Sequence, residues 1–358
     1  MSTEPTVLPL VSVIVVNWRQ SELTARSVSS LDHPHPGLDV EVVVVDNEST
    51  EESLAALEQG CPGAVLVTER ENRGFAGGVT AGLRAARGEI IVLLNNDAVA
   101  LPGFLLSGAG RLLGGPGELA AVAARVDLEG SFSPVADGEP PSSEQLDGLD
   151  GTRWRPDPQG TALLNSTGVE LGPGANGFDR DWLRPVERLR RTADDHPFAA
   201  SGAAVFLRRS AVEAVGGFDT SYFMYYEDLD LSWRLRLSGY TIGYEPAARV
   251  VHRHAASSSH SSSLIRVNSV RNRWLTVLKN GSVRLVLSVT ARTAARLLID
   301  LTRSSLRRDG AFIAPREWRR LLRDAARLAP GAVRARRSGR SVAETRRALE
   351  RRFIGRSV

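Results

Sequence analysis

Residues 89–97 read EIIVLLNND, a strand-length apolar run that ends on two asparagines and an aspartate. Nearly continuous apolar side chains predict a strand covered on both faces. A carboxylate at the mouth of such a strand faces the crevice where open α/β sheets collect ligands. Working back toward the N-terminus, a helix through Ala86 follows the loop ENRGFAGG (71–78), which follows VLVTE (65–69). Before these come SLAALEQ (53–59), VEVVVVD (40–46), SELTARSVSSL (21–31) and VSVIVVNW (11–18). Strand runs alternating with helical spacing predict parallel βαβ units, and Asn17, Asp46, Asn72 and Asp97 all fall at or just after strand ends.

Downstream the pattern weakens over about 127–196. The stretch DLEGSFSPVADGEPPSSEQLDGLDG (127–151), rich in Pro, Gly, Ser and acids, predicts an exposed insertion, with LLNSTGVEL (163–171) as a strand candidate inside it. Order returns with FAASGAAVFLRRSAVEAVGGFD (198–219), a strand feeding a helix that stops at Gly216 and Gly217, and with YFMYYEDLDLSWRLRLSGY (222–240), a helix stopped by Gly239. VVHRHAASSSHSSS (250–263) closes this region with three histidines.

Charge divides the chain near residue 263. Residues 1–263 carry 21 Arg against 35 acids, a net of −14, whereas 264–358 carry 24 Lys plus Arg against 6 acids, a net of +18. The overall +4 hides an acidic body with a basic tail, and such a tail suits an anionic partner. In the tail, SVRLVLSVTA (282–291) is nearly apolar but too soon interrupted by charge to be a membrane span. After Pro315, Trp318, Leu321, Leu322, Ala325 and Leu328 form an apolar face opposite Arg316, Arg319, Arg320, Arg323 and Arg327. That face suits either a bilayer surface or packing back on the body. With 358 residues, 42% apolar and 24% charged, the chain is large enough for a substantial core, and disorder or a disulfide scaffold is excluded. The single cysteine, Cys61, has no partner within the chain, and MSTEPTVLPL reads as no signal peptide.

Several residues carry alternatives from their type and spacing. Asp46 is a helix cap or a ligand contact. Asp97 suits a hard cation, which takes few protein carboxylates beside substrate phosphate oxygens. The glycines of ENRGFAGG permit close approach to an anion, although the spacing is neither GxGxxG nor a P-loop. Glu227, Asp228 and Asp230, beside Tyr222, Phe223, Tyr225 and Tyr226, either complement a helix dipole or supply a general base of raised pKa. His252 and His254, two residues apart, share one face of an extended segment, as a metal or phosphate partner or as surface histidines.

Taken in order, VSVIVVNW, VVVVDNEST, ENRGFAGG, IIVLLNND, ASGAAVFLRRSAVEAVGGFD, YFMYYEDLDLSWRLRLSGY and VVHRHAAS resemble the family 2 glycosyltransferases, especially their bacterial rhamnosyltransferase-like branch. The resemblance spans roughly 11–260 and implies a GT-A fold, a Rossmann-like α/β architecture with a mostly parallel central sheet flanked by helices. Residues 1–263 are then the catalytic domain, with 127–196 a variable insertion, and 264–358 a basic amphipathic helical extension that associates with membrane.

By the same resemblance, Asn17, Asp46 and Asn47 belong to nucleotide binding, with Asn72, Gly74, Phe75 and Gly77 near the sugar and diphosphate and Asn96 beside them. Asp97 and His252 are implied as holders of Mg2+ or Mn2+. Asp228 is implied as the catalytic base with Glu227 next to it, and Gly202, Asp230 and Arg234 as its support. Arg271 and Arg273 are implied partners of an acceptor diphosphate. One carboxylate base without a protein nucleophile implies inversion. The implied donor is an NDP-sugar, dTDP-L-rhamnose ahead of UDP-galactose, UDP-galactofuranose and UDP-GlcNAc. A polyprenyl-diphosphate-linked or glycan acceptor, presented at an anionic membrane surface on the cytoplasmic inner face, completes the expectation. A non-catalytic membrane scaffold is the competing class, and nucleic acid is not expected as a partner.

Overall fold

The computed structural model describes residues 8–136, 138–140, 142, 144–253, 263–305, 311–338 and 343–355. The chain opens with β1 (Leu10–Asn17), α1 (Ser21–Ser29), β2 (Asp39–Asn47), α2 (Glu51–Gly60), β3 (Val65–Glu69), α3 (Gly74–Ala85) and β4 (Ile90–Leu94). The order β3-β2-β1-β4 is parallel throughout, with Asn17 level with Asp46 and Ile14 level with Leu93. Both faces of these strands are covered. Val11, Val13 and Val15 turn into one core, and Ile14, Val43 and Val45 into the other. That explains why the strands read as unbroken apolar runs rather than alternating ones.

Next come β5 (Ala98–Ala100), α4 (Phe104–Leu113) and β6 (Leu119–Leu128). The predicted insertion is more ordered than its composition suggests. It begins inside β6, and β7 (Phe132–Pro134), β8 (Leu146–Asp147) and β9 (Arg153–Pro156) make a small sheet of their own. The stretch 163–171 forms two strands, β10 (Leu164–Ser166) and β11 (Val169–Leu171), split at Gly168, whose φ is +121°. β10 pairs with β6, and β11 makes a hairpin with β12 (Gly177–Asp179). Strands of two to four residues are too short for an alternation to show in sequence.

β13 (Ala204–Arg208), α5 (Arg209–Ala214), α6 (Glu227–Leu237) and β14 (Thr241–His252) complete this part. β13 runs antiparallel between β4 and β6, so the sheet is parallel on one side and mixed on the other. A long irregular return from β6, in place of a crossover helix, permits that direction. α5 stops at Gly216 and Gly217, with φ of +84° and +71°, as their type predicted.

The tail is helical: α7 (Ser263–Asn280), α8 (Val283–Ser305), α9 (Pro315–Ser338) and α10 (Ala343–Phe353). The apolar face of α9 does not look outward as a bilayer surface requires. Trp318 and Leu321 are buried with Ile313 against Val267 of α7, although Leu322 stays exposed. α7 in turn packs on α6, where Leu229, Trp233, Phe198 and Val277 share one cluster. Among the described residues no helix is long and apolar enough to cross a membrane.

Candidate active site

Strand ends bring the predicted polar residues together. The Asn17 amide donates to Asp46 Oδ1 at 2.8 Å, and Ser53 Oγ donates to Asp46 Oδ2 at 2.5 Å. Thr24 Oγ1 donates to Asn17 Oδ1 at 2.8 Å. Asn17 and Asp46 are both buried, so their known partners lie within the protein and they brace the ends of β1 and β2. Asp46 is not the N-cap of α2. Thr50 fills that place, its hydroxyl accepting from Ser53 N.

Asn47 and Asn72 clamp the glycine loop. Asn47 Nδ2 donates to Asn72 Oδ1 and to the Gly74 carbonyl, both at 3.1 Å, while Gly74 N donates to Asn72 Oδ1 at 2.8 Å. Gly74 has φ +69°, and a β-carbon there would collide with the Phe223 carbonyl. Only glycine lets this loop touch the segment that carries the acidic cluster. At Gly77 an added β-carbon would meet the Arg73 side chain, and Phe75 lays its ring over Gly202, 3.1 Å from where a β-carbon would stand.

Gly202 N donates to Asp228 Oδ2 at 2.9 Å, and Leu229 N donates to Asp228 Oδ1 at 2.7 Å. Burial nevertheless pushes the Asp228 carboxyl above the ordinary carboxylate range, opposed by those two bonds. Glu227 is buried with Oε2 unbonded, and burial followed by the Asp228 charge pushes it well up. Tyr225 and Tyr226 reach this turn with φ of +68° and +73°, a strained pair of non-glycine residues.

Asp230 and Arg234 come together at 2.9 Å, in a network the sequence did not reveal. Lys279 Nζ at 3.0 Å and Asn280 Nδ2 at 2.8 Å, both from α7, also reach the fully buried Asp230 carboxylate. Arg271 is likewise interior: it donates to Asn272 Oδ1 at 2.9 Å and lies 3.8 Å from Asp324 of α9. Arg271 is thus an internal tie, with little surface to offer an acceptor diphosphate. Arg273 is half-buried and within electrostatic reach of Tyr226.

Asp97 and His252, far apart in the chain, meet at 2.9 Å through Oδ1 and Nε2, both nearly buried. The other ring nitrogen, Nδ1, lies 2.8 Å from Asn165 Oδ1. On its other side the ring presents Nε2 to the Asp97 carboxylate and to Asn95 Nδ2, the latter at 3.4 Å. A carboxylate oxygen and an imidazole nitrogen oriented by an outer amide fit a divalent metal ion completed by phosphate oxygens. Asn96 is half-buried at the same turn, 3.5 Å from Gln20 Oε1. His254 lies outside the described residues.

Two polar residues of the site escaped the sequence reading, Asn165 and Asp179, both from the apparent insertion. Burial pushes the Asp179 carboxyl up to about 6, helped by the Asp228 charge and opposed by a bond from Ser166 and by His252. Asp179 therefore lies within electrostatic reach of Asp228 and of His252. No periodicity signals either residue; an isolated Asn or Asp in a polar stretch reads as a turn.

A sheet that gathers a glycine loop, a carboxylate–imidazole pair and a carboxylate held by backbone N–H groups has the architecture of a GT-A glycosyltransferase. Comparison with known proteins agrees. The glycosyl transferase family 2 pattern matches residues 12–215, and that of glycosyl transferase family group 2 matches 186–307. The N-acetylglucosaminyl-diphospho-decaprenol L-rhamnosyltransferase of Mycobacterium tuberculosis is 30% identical over 315 residues, covering 84% of this chain and 95% of that relative. The low-salt glycan biosynthesis hexosyltransferase Agl10 of Haloferax volcanii is 26% identical over 279 residues, 76% of each chain. GalNAc-T7, solved with UDP, GalNAc and Mn2+, superposes with a TM-score of 0.54 at 14% identity over 76% of this chain, which spans 48% of that one. The chain belongs to glycosyl transferase family 2, and it is a glycosyltransferase of the hexosyltransferase type.

Proposed function

We propose that this enzyme transfers L-rhamnose from dTDP-L-rhamnose, with inversion, to a polyprenyl-diphosphate-linked glycan precursor of the cell envelope, working from the cytoplasmic face of the membrane. The observation that carries the chemistry is Asp228. Its carboxylate is half-buried and held by two backbone N–H groups, at the side of the glycine loop where Phe75 crosses Gly202. A carboxylate so fixed, with its proton affinity raised by burial, suits removal of a proton from an acceptor hydroxyl. The acceptor oxygen then forms its bond to the anomeric carbon as the bond to the nucleoside diphosphate breaks. One base on the face opposite the leaving group gives single displacement.

Asp97 and His252 are the residues that would hold Mg2+ or Mn2+, and the ion when bound would neutralise charge growing on the leaving diphosphate. Asn165 orients the imidazole for that task, and Asn47 with Asn72 keeps the glycine loop in place for the donor. Rhamnose and a lipid-diphosphate acceptor are supported by the activity that names the mycobacterial relative, which this chain matches along nearly all of that relative's length. The proposal is tested by thermal stabilisation with dTDP-, UDP- and GDP-sugars, each with and without Mn2+, because a ligand of the folded state raises the melting temperature. A metal-dependent rise with dTDP-rhamnose is the expected outcome. A rise confined to UDP-sugars would assign a different donor, and none with any nucleotide would favour a non-catalytic scaffold.

A further inference from the structure

α8 is amphipathic in the reverse sense to a helix that packs in water. Val283, Leu287, Ala291, Ala294, Leu298 and Leu301 recur at steps of three and four, which places them along one side. All six are exposed, with Val283 at 63%, Leu287 at 65% and Leu298 at 64%. Val289 and Asp300, on the opposite side, are buried. The orientation is locked. Asp300 accepts from Phe312 N at 3.0 Å, Ile313 N at 3.2 Å and the Trp318 indole at 3.0 Å. Rolling the helix to hide its leucines would strip those donors from a buried carboxylate, a costly change.

We infer that this stripe of α8 is the surface by which the protein lies on an anionic lipid bilayer. Charge decides between occupants. Arg284 is exposed beside the stripe, and the tail carries a net +18. A second copy placed stripe to stripe would bring like charges together, whereas acidic headgroups complement them. From Val283 to Leu301 the stripe runs about 27 Å at 1.5 Å per residue, a length suited to lying flat along an interface. Arg292 packs against the turn at Gly174, between β11 and β12, and β12 ends at Asp179 in the site. The helix that carries the stripe is thus joined to Asp179 by one short hairpin. This inference rests on the lipid-linked acceptor reading only for its purpose; the binding itself stands apart from catalysis.

The test is co-sedimentation with phosphatidylglycerol–phosphatidylcholine vesicles and with phosphatidylcholine alone, for the full chain and its variants. L287E/L298E should weaken binding to the anionic vesicles about tenfold or more, because two inserted apolar side chains are lost. Replacing Arg284 by Ala should weaken it too and reduce its salt sensitivity. L149E, at an exposed leucine of the small sheet, should bind as the parent does. An unchanged melting temperature certifies the fold of each variant. Anionic-vesicle binding that L287E/L298E leaves intact would overturn the inference. So would a dimer in sedimentation velocity that the same variant dissociates without loss of vesicle binding, since the stripe would then meet a second copy. Because binding is read without turnover, an enzyme that transferred no rhamnose would sink the functional proposal and leave this one standing.

Discussion

Asn272, in the first helix of the basic tail, donates its side-chain amide to the Tyr225 carbonyl at 2.7 Å and to the Met224 carbonyl at 2.9 Å. It is fully buried, and it holds the strained turn that delivers Asp228 to the site. The tail therefore contributes to the geometry around Asp228.

Replacing Asn272 with Ala leaves two carbonyls without their donor, a stability cost of about 1–3 kcal/mol for an unsatisfied buried group. The expected outcome is a kcat lowered about tenfold or more, with donor-nucleotide affinity little changed, because the donor loop is braced separately by Asn47 and Asn72. Steady-state kinetics beside nucleotide titration checks it. Equal loss of both would mean that Asn272 serves general stability alone.

Asp97→Ala and His252→Ala should each remove the Mn2+ dependence of nucleotide binding. Asn165→Ala should weaken it about tenfold, as loss of a partner that orients a ligating histidine does. Calorimetric titration of nucleoside diphosphate at several Mn2+ concentrations reads all three. Metal-dependent affinity that survives in the Asp97 variant would remove this pair from the cation site.

The acid limb of kcat/KM should lie above the ordinary aspartate value of 3.8, because burial raises the Asp228 carboxyl. As pH falls, this carboxyl takes its proton earlier than an exposed aspartate does, and the base is lost. A pH profile measured at saturating Mn2+ shows it; a limb at the ordinary value would contradict the buried base.

Gly74→Ala forces a side chain into a left-handed backbone and against the Phe223 carbonyl. Strain of this kind costs about 1–3 kcal/mol. A lowered melting temperature together with weaker donor binding is expected, whereas Ala at Gly110 of α4, where an added β-carbon meets nothing, should lower neither.

The βαβ half of the sheet was legible because each strand is an apolar run of its own and each ends in a polar residue that the sheet lines up. Asp97, Asp228 and His252 were legible through the family resemblance of their motifs, and the structure adds that Asp97 and His252 touch. What the sequence hid was long-range or unpatterned. Asn165 and Asp179 sit in strands of three residues, and Lys279 and Asn280 reach Asp230 across half a hundred residues. The direction of the tail faces was hidden for a related reason. Trp318 and Leu321 look membrane-ready in sequence, but the Asp300 carboxylate draws the Trp318 indole inward and leaves the stripe of α8 outside.

The most direct measurement is transfer of labelled rhamnose from dTDP-rhamnose to a polyprenyl-diphosphate-linked N-acetylglucosamine acceptor with Mn2+, run on the parent enzyme and on Asp228→Asn. Product of inverted anomeric configuration from the parent is expected, with turnover by the variant reduced about a hundredfold or more and nucleotide binding retained. Comparable turnover by the two proteins would contradict Asp228 as the base on which the proposed reaction depends.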